Sequence, residues 1–180
     1  MGVTVSNLLM GPAKLSTGVV GATESTSNAT ALGAGWTDVG GTEGGCTLTI
    51  DQTFTPLGPI DQIVIAAGAR RTAVGVKVKT NLAEATLANL RVALNQAVNA
   101  ATFVEIDGDA SNVDPNYQAV CLEGMRPGGA GPRRVFVRRT LSTDSIGVPF
   151  LKDGMTLFPV TFEAYYVSSS IKVVRVDDTP

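Results

Sequence analysis

The amino-acid sequence predicts a mainly β protein, an antiparallel β-sandwich or barrel with one flanking α-helix at about residues 81–98. Several segments alternate apolar and polar residues with a period of two, and glycine- and proline-rich turns separate them. Only one segment, Asn81–Ala97, has the three- and four-residue spacing of apolar residues that marks an amphipathic helix. Neither an internal repeat nor a domain boundary interrupts the 180 residues, so we predict a single domain.

The predicted strands follow the alternation and end at turn residues. In chain order they cover residues 13–20, 36–39, 47–55, 71–80, 102–106, 117–123, 134–141, 157–168 and 171–176. The short apolar segment 60–67 is left undecided. Pro159 predicts an edge position or a bulge in its strand, because proline cannot donate a hydrogen bond to a neighbouring strand.

Three connecting segments stand out by their composition. Residues 1–11 are mostly apolar and end at a Gly-Pro pair, which predicts an N-terminal arm. Residues 21–35 are small and polar, which predicts a long, exposed and mobile loop. The glycine run at residues 40–45 predicts a turn, because it lacks the lysine and the following helix that a phosphate-binding loop requires.

The predicted helix has a marked start and one apolar face. Asn81 can accept a backbone N–H of the first turn while Glu84 reaches back, which is the arrangement of a capping box. The face predicted to cover the sheet consists of Leu87, Leu90, Leu94 and Ala97.

The composition argues against several classes of function. The chain contains no histidine, which removes the usual zinc ligand sets and the commonest general base at neutral pH. Charged residues make up only 17% and the net charge is −2, so a strong attraction to nucleic acid or to an anionic membrane is not implied. Cys46 and Cys121 are predicted to be buried free thiols. We therefore expect neither enzymatic activity nor a cofactor.

One acidic segment partly resembles a calcium loop. Asp107, Asp109 and Ser111 alternate as calcium ligands do. Asn112 and Gln118, however, replace the glycine and the glutamate that such a loop needs. We therefore predict a solvated acidic loop without a metal ion.

A group of arginines is the second candidate for binding chemistry. The group consists of Arg133, Arg134, Arg138 and Arg139, preceded by Arg126. Strand alternation sends Arg134 and Arg138 to one face and the other two to the opposite face, so they do not form one phosphate-binding stripe. We predict that they pair with carboxylates of neighbouring subunits.

Three segments resemble a known family in their order and spacing. They are WTDVGGTEGGCTLTIDQTFTPL at residues 36–57, KTNLAEATLANLRVALN at 79–95, and RRTLSTDSIGVPFLKDGMTLFPVTFEAYYVSSS at 138–170. Together they resemble the tail tube protein, or major tail protein, of long-tailed phages that infect actinobacteria. The resemblance spans residues 5–170.

This resemblance implies a structural virion protein. Six copies would close into a ring whose inner strands join as a continuous barrel, and the rings would stack into a hollow tube that conducts double-stranded DNA without binding it specifically. Its other partners would be the tape measure, tail terminator and distal tail proteins. The protein would be made in the host cytoplasm and located in the virion tail, with which the absence of a signal peptide pattern and of a membrane-spanning apolar run agrees.

The segment Ser142–Gly154 is the candidate for stacking between rings. It is too long for a hairpin turn and contains apolar residues that a free loop would expose. We expect Ile146, Val148, Phe150 and Leu151 to supply the adhesion, with Asp144, Lys152 and Asp153 setting the register. The N-terminal arm is expected to assist. The strands around residues 47–55, 71–80, 134–141 and 157–166 are expected to supply the inner wall of the ring.

Two other classes of protein stay open at this point. A tail terminator or head-tail joining protein of related fold would form one ring and would not polymerise. A carbohydrate-binding or adhesive β-sandwich module would display aromatic residues on one face, although aromatic residues make up only 6% here.

Overall fold

Eight β-strands and one short α-helix make up the described part of the chain. In this computed structural model the described residues are 11–27, 29–58, 65–98, 101–106, 108, 115–128 and 131–179. The elements are β1 Lys14–Val19, β2 Trp36–Asp38, β3 Thr42–Pro56, β4 Ala69–Leu82, α1 Leu87–Ala93, β5 Gln118–Met125, β6 Pro132–Ser142, β7 Phe158–Ala164 and β8 Val174–Asp177. The prediction of a mainly β fold with one helix is therefore confirmed.

All strands belong to one antiparallel sheet with the order β2-β1-β5-β6-β7-β4-β3. One side of β6 is shared between two partners, because its residues 134–137 pair with β8 and its residues 140–142 pair with β7. Within the described residues this sheet is not closed into a barrel, so the barrel alternative is wrong. Strands β2 and β3 lie at the two ends of this order, and β3 is the longer one, with 15 residues.

The sheet bends so that its two halves enclose one hydrophobic core. Side chains from β1, β5 and β6 pack in the same cluster as side chains from β4, β7 and α1. This cluster contains Leu15, Val39, Val76, Val78, Leu82, Val92, Ala93, Val120, Leu122, Val135, Val137, Phe158, Val160 and Phe162. The alternation of buried and exposed residues along β4 and β7 follows the sequence pattern here.

The other face of β6 is covered as well, by the segment at residues 21–35. Trp36 packs its ring against Phe136 with 5.7 Å between the centroids, and its Nε1 donates to the carbonyl of Thr23 at 2.9 Å. Ser25 is buried in this segment. Most described residues of this segment are exposed, as predicted, but Ser25 is buried and Glu24 is half-buried where the segment packs on β6.

The helix is shorter than predicted, and it begins at a different residue. Thr86, not Asn81, is the N-cap, and its side chain accepts a hydrogen bond from the backbone N–H of Asn89. Asn81 and Leu82 instead end β4, where they pair with both β3 and β7. The capping box is absent because Glu84 accepts from the backbone N–H of Gly41.

The buried face of the helix also differs from the predicted one. Its buried residues are Asn89, Arg91, Val92 and Ala93. Leu87 is 40% exposed and Ala97 is exposed, while Leu90 and Leu94 are half-buried. The predicted stripe is thus rotated around the helix axis, and only Leu90 of its four residues packs against the core cluster.

Side-chain amides fasten the helix to the sheet. The Asn89 Nδ2 donates to the carbonyl of Val39 at 2.7 Å, and the Gln118 Nε2 donates to the carbonyl of Val92 at 2.8 Å. Past the helix end, Asn95 adopts a left-handed conformation with φ 55° and exchanges two hydrogen bonds of 2.7 Å with the backbone of Ser142. Of these bonds, the one from Gln118 satisfies a carbonyl in the last turn of the helix, and the others attach side chains of the helix and its C-terminal end to the backbone of neighbouring segments.

Several smaller predictions need correction. Residues 102–106 are not a strand, and the last long strand ends at Ala164 rather than at residue 168. The glycine run at 40–45 is not a turn, because β3 begins within it at Thr42. The register of β3 shifts between Glu43 and Thr47, and the two glycines in this interval have the positive φ that such an irregularity favours. The prediction for Pro159 needs no correction. This residue pairs with β4 on one side only, because β6 ends at Ser142, so Pro159 has the edge position that was predicted. Residues 1–10, 59–64 and the calcium-loop candidates Asp107, Asp109 and Ser111 lie outside the described residues.

Candidate assembly surfaces

The far half of the β3–β4 hairpin forms an exposed two-stranded ribbon. We define the ribbon as residues 49–58 and 65–74, every one of which is exposed. β7 accompanies β4 only as far as Lys77, so the strand from there to Ala69 has β3 as its only strand partner among the described residues. At about 3.3 Å per residue this part of the hairpin extends about 26 Å beyond β7.

The ribbon carries large apolar side chains that contact solvent. Phe54 is 56% exposed, and Ile50, Leu57 and Val74 are each close to half exposed. The predicted core face of these two strands is therefore correct only near the body of the protein, where Val78 is buried. Farther along the ribbon the same alternation continues without a core to pack against.

The loop between β6 and β7, residues 143–157, is the second exposed apolar surface. Phe150 is 94% exposed, and Val148, Leu151 and Met155 are exposed as well. Lys152 and Asp153 are exposed beside them. Two of the proposed stacking residues are instead engaged within the chain, because Ile146 packs against the core and Asp144 accepts a hydrogen bond from Thr161 Oγ1 at 2.7 Å.

The outer face of β3, β4 and β7 is polar and contains charges of both signs. Thr49, Lys77 and Glu163 form one row across the three strands, and the Lys77 Nζ lies 3.6 Å from Glu163 Oε1. The adjacent row consists of Thr47, Lys79 and Thr161. The opposite faces of these strands carry the core residues.

The four arginines predicted to pair with carboxylates of neighbouring subunits all have partners within the chain, and for three of them that partner is a carboxylate. Arg133 forms a bidentate pair with Asp178, and Arg138 forms one with Glu24. Arg139 lies 3.8 Å from the centroid of the Tyr117 ring and donates to a backbone carbonyl.

Arg134 is the most buried of the four, with 3% exposure. Its Nε donates to Glu123 Oε2 at 2.6 Å, and its two terminal nitrogens donate to the carbonyls of Ser27 and Thr30. The predicted division into two faces is consistent with these contacts, since Arg134 and Arg138 both reach the segment at residues 21–35.

Ion pairing changes the pKa of several of these groups. The hydrogen bonds from Arg138, opposed by burial and helped by its charge, lower the pKa of the Glu24 carboxyl. The hydrogen bonds from Arg133 lower the pKa of Asp178 in the same way. The Glu24 carboxylate also faces Arg175, whose Nη1 lies 3.3 Å from it. Glu24, Arg138 and Arg175 therefore join three segments of the chain through charged pairs.

Sequence reasoning missed the acidic partners of these arginines, which are Glu24, Glu123 and Asp178. Glu123 could have been found, because Glu123 and Arg134 lie at matching distances from the glycine- and proline-rich connector of the β5–β6 hairpin and are register partners. Glu24 and Asp178 are far from their arginines in the sequence, and no local pattern connects them. Their pairing depends on the tertiary fold.

The chemical groups described here do not assemble a metal centre. Among the described residues no three His, Cys, Asp or Glu side chains lie close enough to hold a metal ion. A cavity of about 350 Å³ lies between Trp36 and Ile171, and its charged lining residues, Glu24 and Arg138, pair with each other. Cys121 is buried and Cys46 is half-buried, both as free thiols.

Comparison with protein-family models found no match for this chain, and no curated protein matched it. Within the described residues, no helix is long and apolar enough to cross a membrane.

Proposed function

We propose that this chain is a structural subunit of a phage tail, a tail tube protein whose hexameric rings stack into the hollow tube that conducts DNA. The resemblance of three sequence segments to that family supports this function. The antiparallel sheet and the one short helix of the described residues are compatible with it. A structural role also agrees with the pairing of the buried charges among themselves rather than around a reaction site.

The observation that carries the proposal is the exposed ribbon. An isolated two-stranded hairpin is at best marginally stable in water, and contiguous exposed apolar surface marks sites of association. The ribbon has Phe54, Ile50 and Val74 in contact with solvent over a projection of about 26 Å. A second copy of the chain is the partner that a homopolymeric tube supplies.

The open sheet favours association in a ring. β3 is a long edge strand, and its outer backbone groups have no strand partner among the described residues. Such an edge readily pairs with a strand of another chain. A head-to-tail contact of this kind closes into a ring when the rotation between copies allows it.

The polar face of β3, β4 and β7 suits the lumen of such a tube. A wall of this kind needs one apolar face toward the core and one hydrated face toward the channel. The Thr49, Lys77 and Glu163 row supplies the hydrated face, with opposite charges close together rather than a basic stripe. Lys77 is paired and Lys79 is the one further cation of this row and the adjacent one, so the surface offers DNA few phosphate contacts that would retain it.

Electron microscopy of the purified protein tests the proposal. Long hollow tubes are expected. Single rings that never lengthen would instead favour a tail terminator or a head-tail joining protein. Monomers at high protein concentration would contradict the proposal and leave the adhesive-module alternative, for which glycan binding would then be measured.

A further inference from the structure

The two exposed apolar surfaces lie at opposite ends of the sheet, measured along the strands. Leu82 at the end of β4 pairs with Phe158 at the start of β7, so the loop at 143–157 lies beside the Leu82 end. The ribbon begins beyond Lys77 and continues to Ala69 at the other end of the same strand. One molecule therefore presents an apolar surface at each end of its sheet.

The ribbon end has an excess of positive charge, because its charged residues are Arg70, Arg71 and Asp51. Arg70 and Arg71 are exposed at the ribbon end, and Arg71 is the register partner of Phe54. Neither arginine forms an ion pair with another described residue.

The loop end is predominantly acidic. Glu43 pairs in register with Asn81, which places this exposed glutamate beside the start of β7. Glu84 is exposed just past the end of β4, and Asp153 and Lys152 are exposed in the loop itself. Complementary charges around an apolar centre are the usual composition of a specific protein interface.

We infer that the ribbon of one copy docks against the 143–157 loop of the next copy, with Phe54 and its apolar neighbours packing on Phe150 and Leu151. Arg71, which lies on the same face of the ribbon as Phe54, faces Glu43, Glu84 and Asp153 across this contact. The inference rests on the proposed function, and it specifies the stacking contact of the tube as one between two different surfaces. Such a contact does not close on itself along the strand direction, so it allows unlimited growth in one dimension.

Two variants that each damage one end test this arrangement. The ribbon variant carries Phe54→Ser and Arg71→Glu, and the loop variant carries Phe150→Ser and Leu151→Ser. Each alone should stop at single rings, because one of the two surfaces needed at every stacking contact is lost. Mixed together, they should form stacks of two rings and nothing longer, since a ribbon from the loop variant can dock on a loop of the ribbon variant. Ring stacks are counted by electron microscopy and by sedimentation.

The controls separate this inference from the proposed function. Val176→Ser removes a side chain on β8 that is 53% exposed, similar to Phe54, and should leave tube growth unchanged. If the unaltered protein forms neither tubes nor rings, the proposed function fails. If it forms tubes but either variant alone forms two-ring stacks, the contact joins two like surfaces and only this inference is wrong. Normal tubes from either variant alone, or a mixture of the two variants that forms no stacks of two rings, would also contradict this inference.

A crosslinking experiment tests the same contact without removing it. Phe54→Cys and Phe150→Cys are combined in one chain on a Cys46→Ser background. The two positions lie at opposite ends of the sheet, so a disulfide between them must join different molecules. Oxidation of tubes should give a denaturant-resistant ladder of many subunits, and either cysteine alone should give none. Tubes that yield no ladder would contradict the contact.

Discussion

Arg134 donates from Nε to Glu123 Oε2 at 2.6 Å, and the two residues are also direct register partners on β6 and β5. The same guanidinium donates to the carbonyls of Ser27 and Thr30, so one buried cation connects the sheet to the segment that covers it. Removing one partner of a buried ion pair leaves the other charge without compensation, which is costly. This side chain is therefore a major determinant of how that segment packs.

Arg134→Ala should destabilise the protein by about 3 to 5 kcal/mol, because it leaves Glu123 and two carbonyls without their donor. Arg134→Lys should recover only part of this loss, since an ammonium lacks the planar fork that reaches all three acceptors. Urea denaturation gives the free energies of unfolding. Arg133→Ala is the matched control. The Arg133 side chain is 34% exposed, against 4% for Arg134, so Arg133→Ala should cost far less than Arg134→Ala, and an equal loss would be unexpected.

The Glu24–Arg138 pair makes stability depend on pH. Because the folded protein lowers the pKa of Glu24, the stabilisation is complete above the ordinary pKa of a glutamate and is lost as pH falls through the lower, folded value. Stability should therefore decline as pH falls below about 4.3. Glu24→Gln should cost about 1 to 3 kcal/mol at pH 7 and flatten this part of the pH profile.

Asp38→Asn is the control for this pH effect, because Asp38 pairs with Lys14 on the surface. Thermal unfolding from pH 7 to pH 3 measures both variants, and Trp36 fluorescence reports on the covering segment, since its Nε1 donates to Thr23. A Glu24→Gln profile parallel to that of the unaltered protein would show that this pair does not contribute to the acid sensitivity.

The rotated face of the helix gives a third prediction. Val92→Ala should destabilise the protein by about 2 kcal/mol, because Val92 is buried in the core cluster. Leu87→Ala should cost clearly less, since this leucine is 40% exposed and is not part of the core cluster. Urea denaturation of the two variants compares the positions directly. Equal losses would mean that Leu87 is covered, as it would be at a contact between subunits.

The sequence was informative where local pattern and tertiary structure agree. Alternation in β4 correctly predicted the buried side of Val76 and Val78, because this half of the strand has β7 beside it and a core beneath it. The same alternation at Phe54 indicated which residues share a face. It could not indicate whether another element covers that face.

The helix prediction failed because a local signal competed with long-range pairing. Asn81 and Glu84 have the spacing of a capping box, but Asn81 pairs with Glu43 and Pro159 in the sheet. Leu82 is fully buried there, so shortening the strand to begin the helix earlier would remove this side chain from the core. No pattern within the segment itself contains that information.

The two cysteines should differ strongly in reactivity. Burial raises the pKa of the Cys121 thiol to about 12, so almost no thiolate forms at pH 8. Cys46 is half-buried and should react with iodoacetamide much faster. Mass spectrometry of partly labelled protein distinguishes the sites, and a Cys46→Ser variant should take up label only in denaturant. Labelling of that variant under native conditions would mean that β5 opens readily.

Thiol labelling also tests which face lines the tube. Thr49→Cys and Lys77→Cys, each on the Cys46→Ser background, place a thiol in the same row of the polar face. Both positions are exposed in a single molecule, so a bulky maleimide should label the unassembled protein quickly.

In assembled tubes the reagent could reach a channel wall only through the open ends, so labelling should slow at least tenfold, while a small reagent should still react. Val176→Cys, an exposed position on β8 that lies outside this row, should react at similar rates in both forms. If the bulky reagent labels Thr49→Cys or Lys77→Cys in intact tubes as fast as Val176→Cys, this face lies on the outside and the β3–β4–β7 surface is not the wall of the channel.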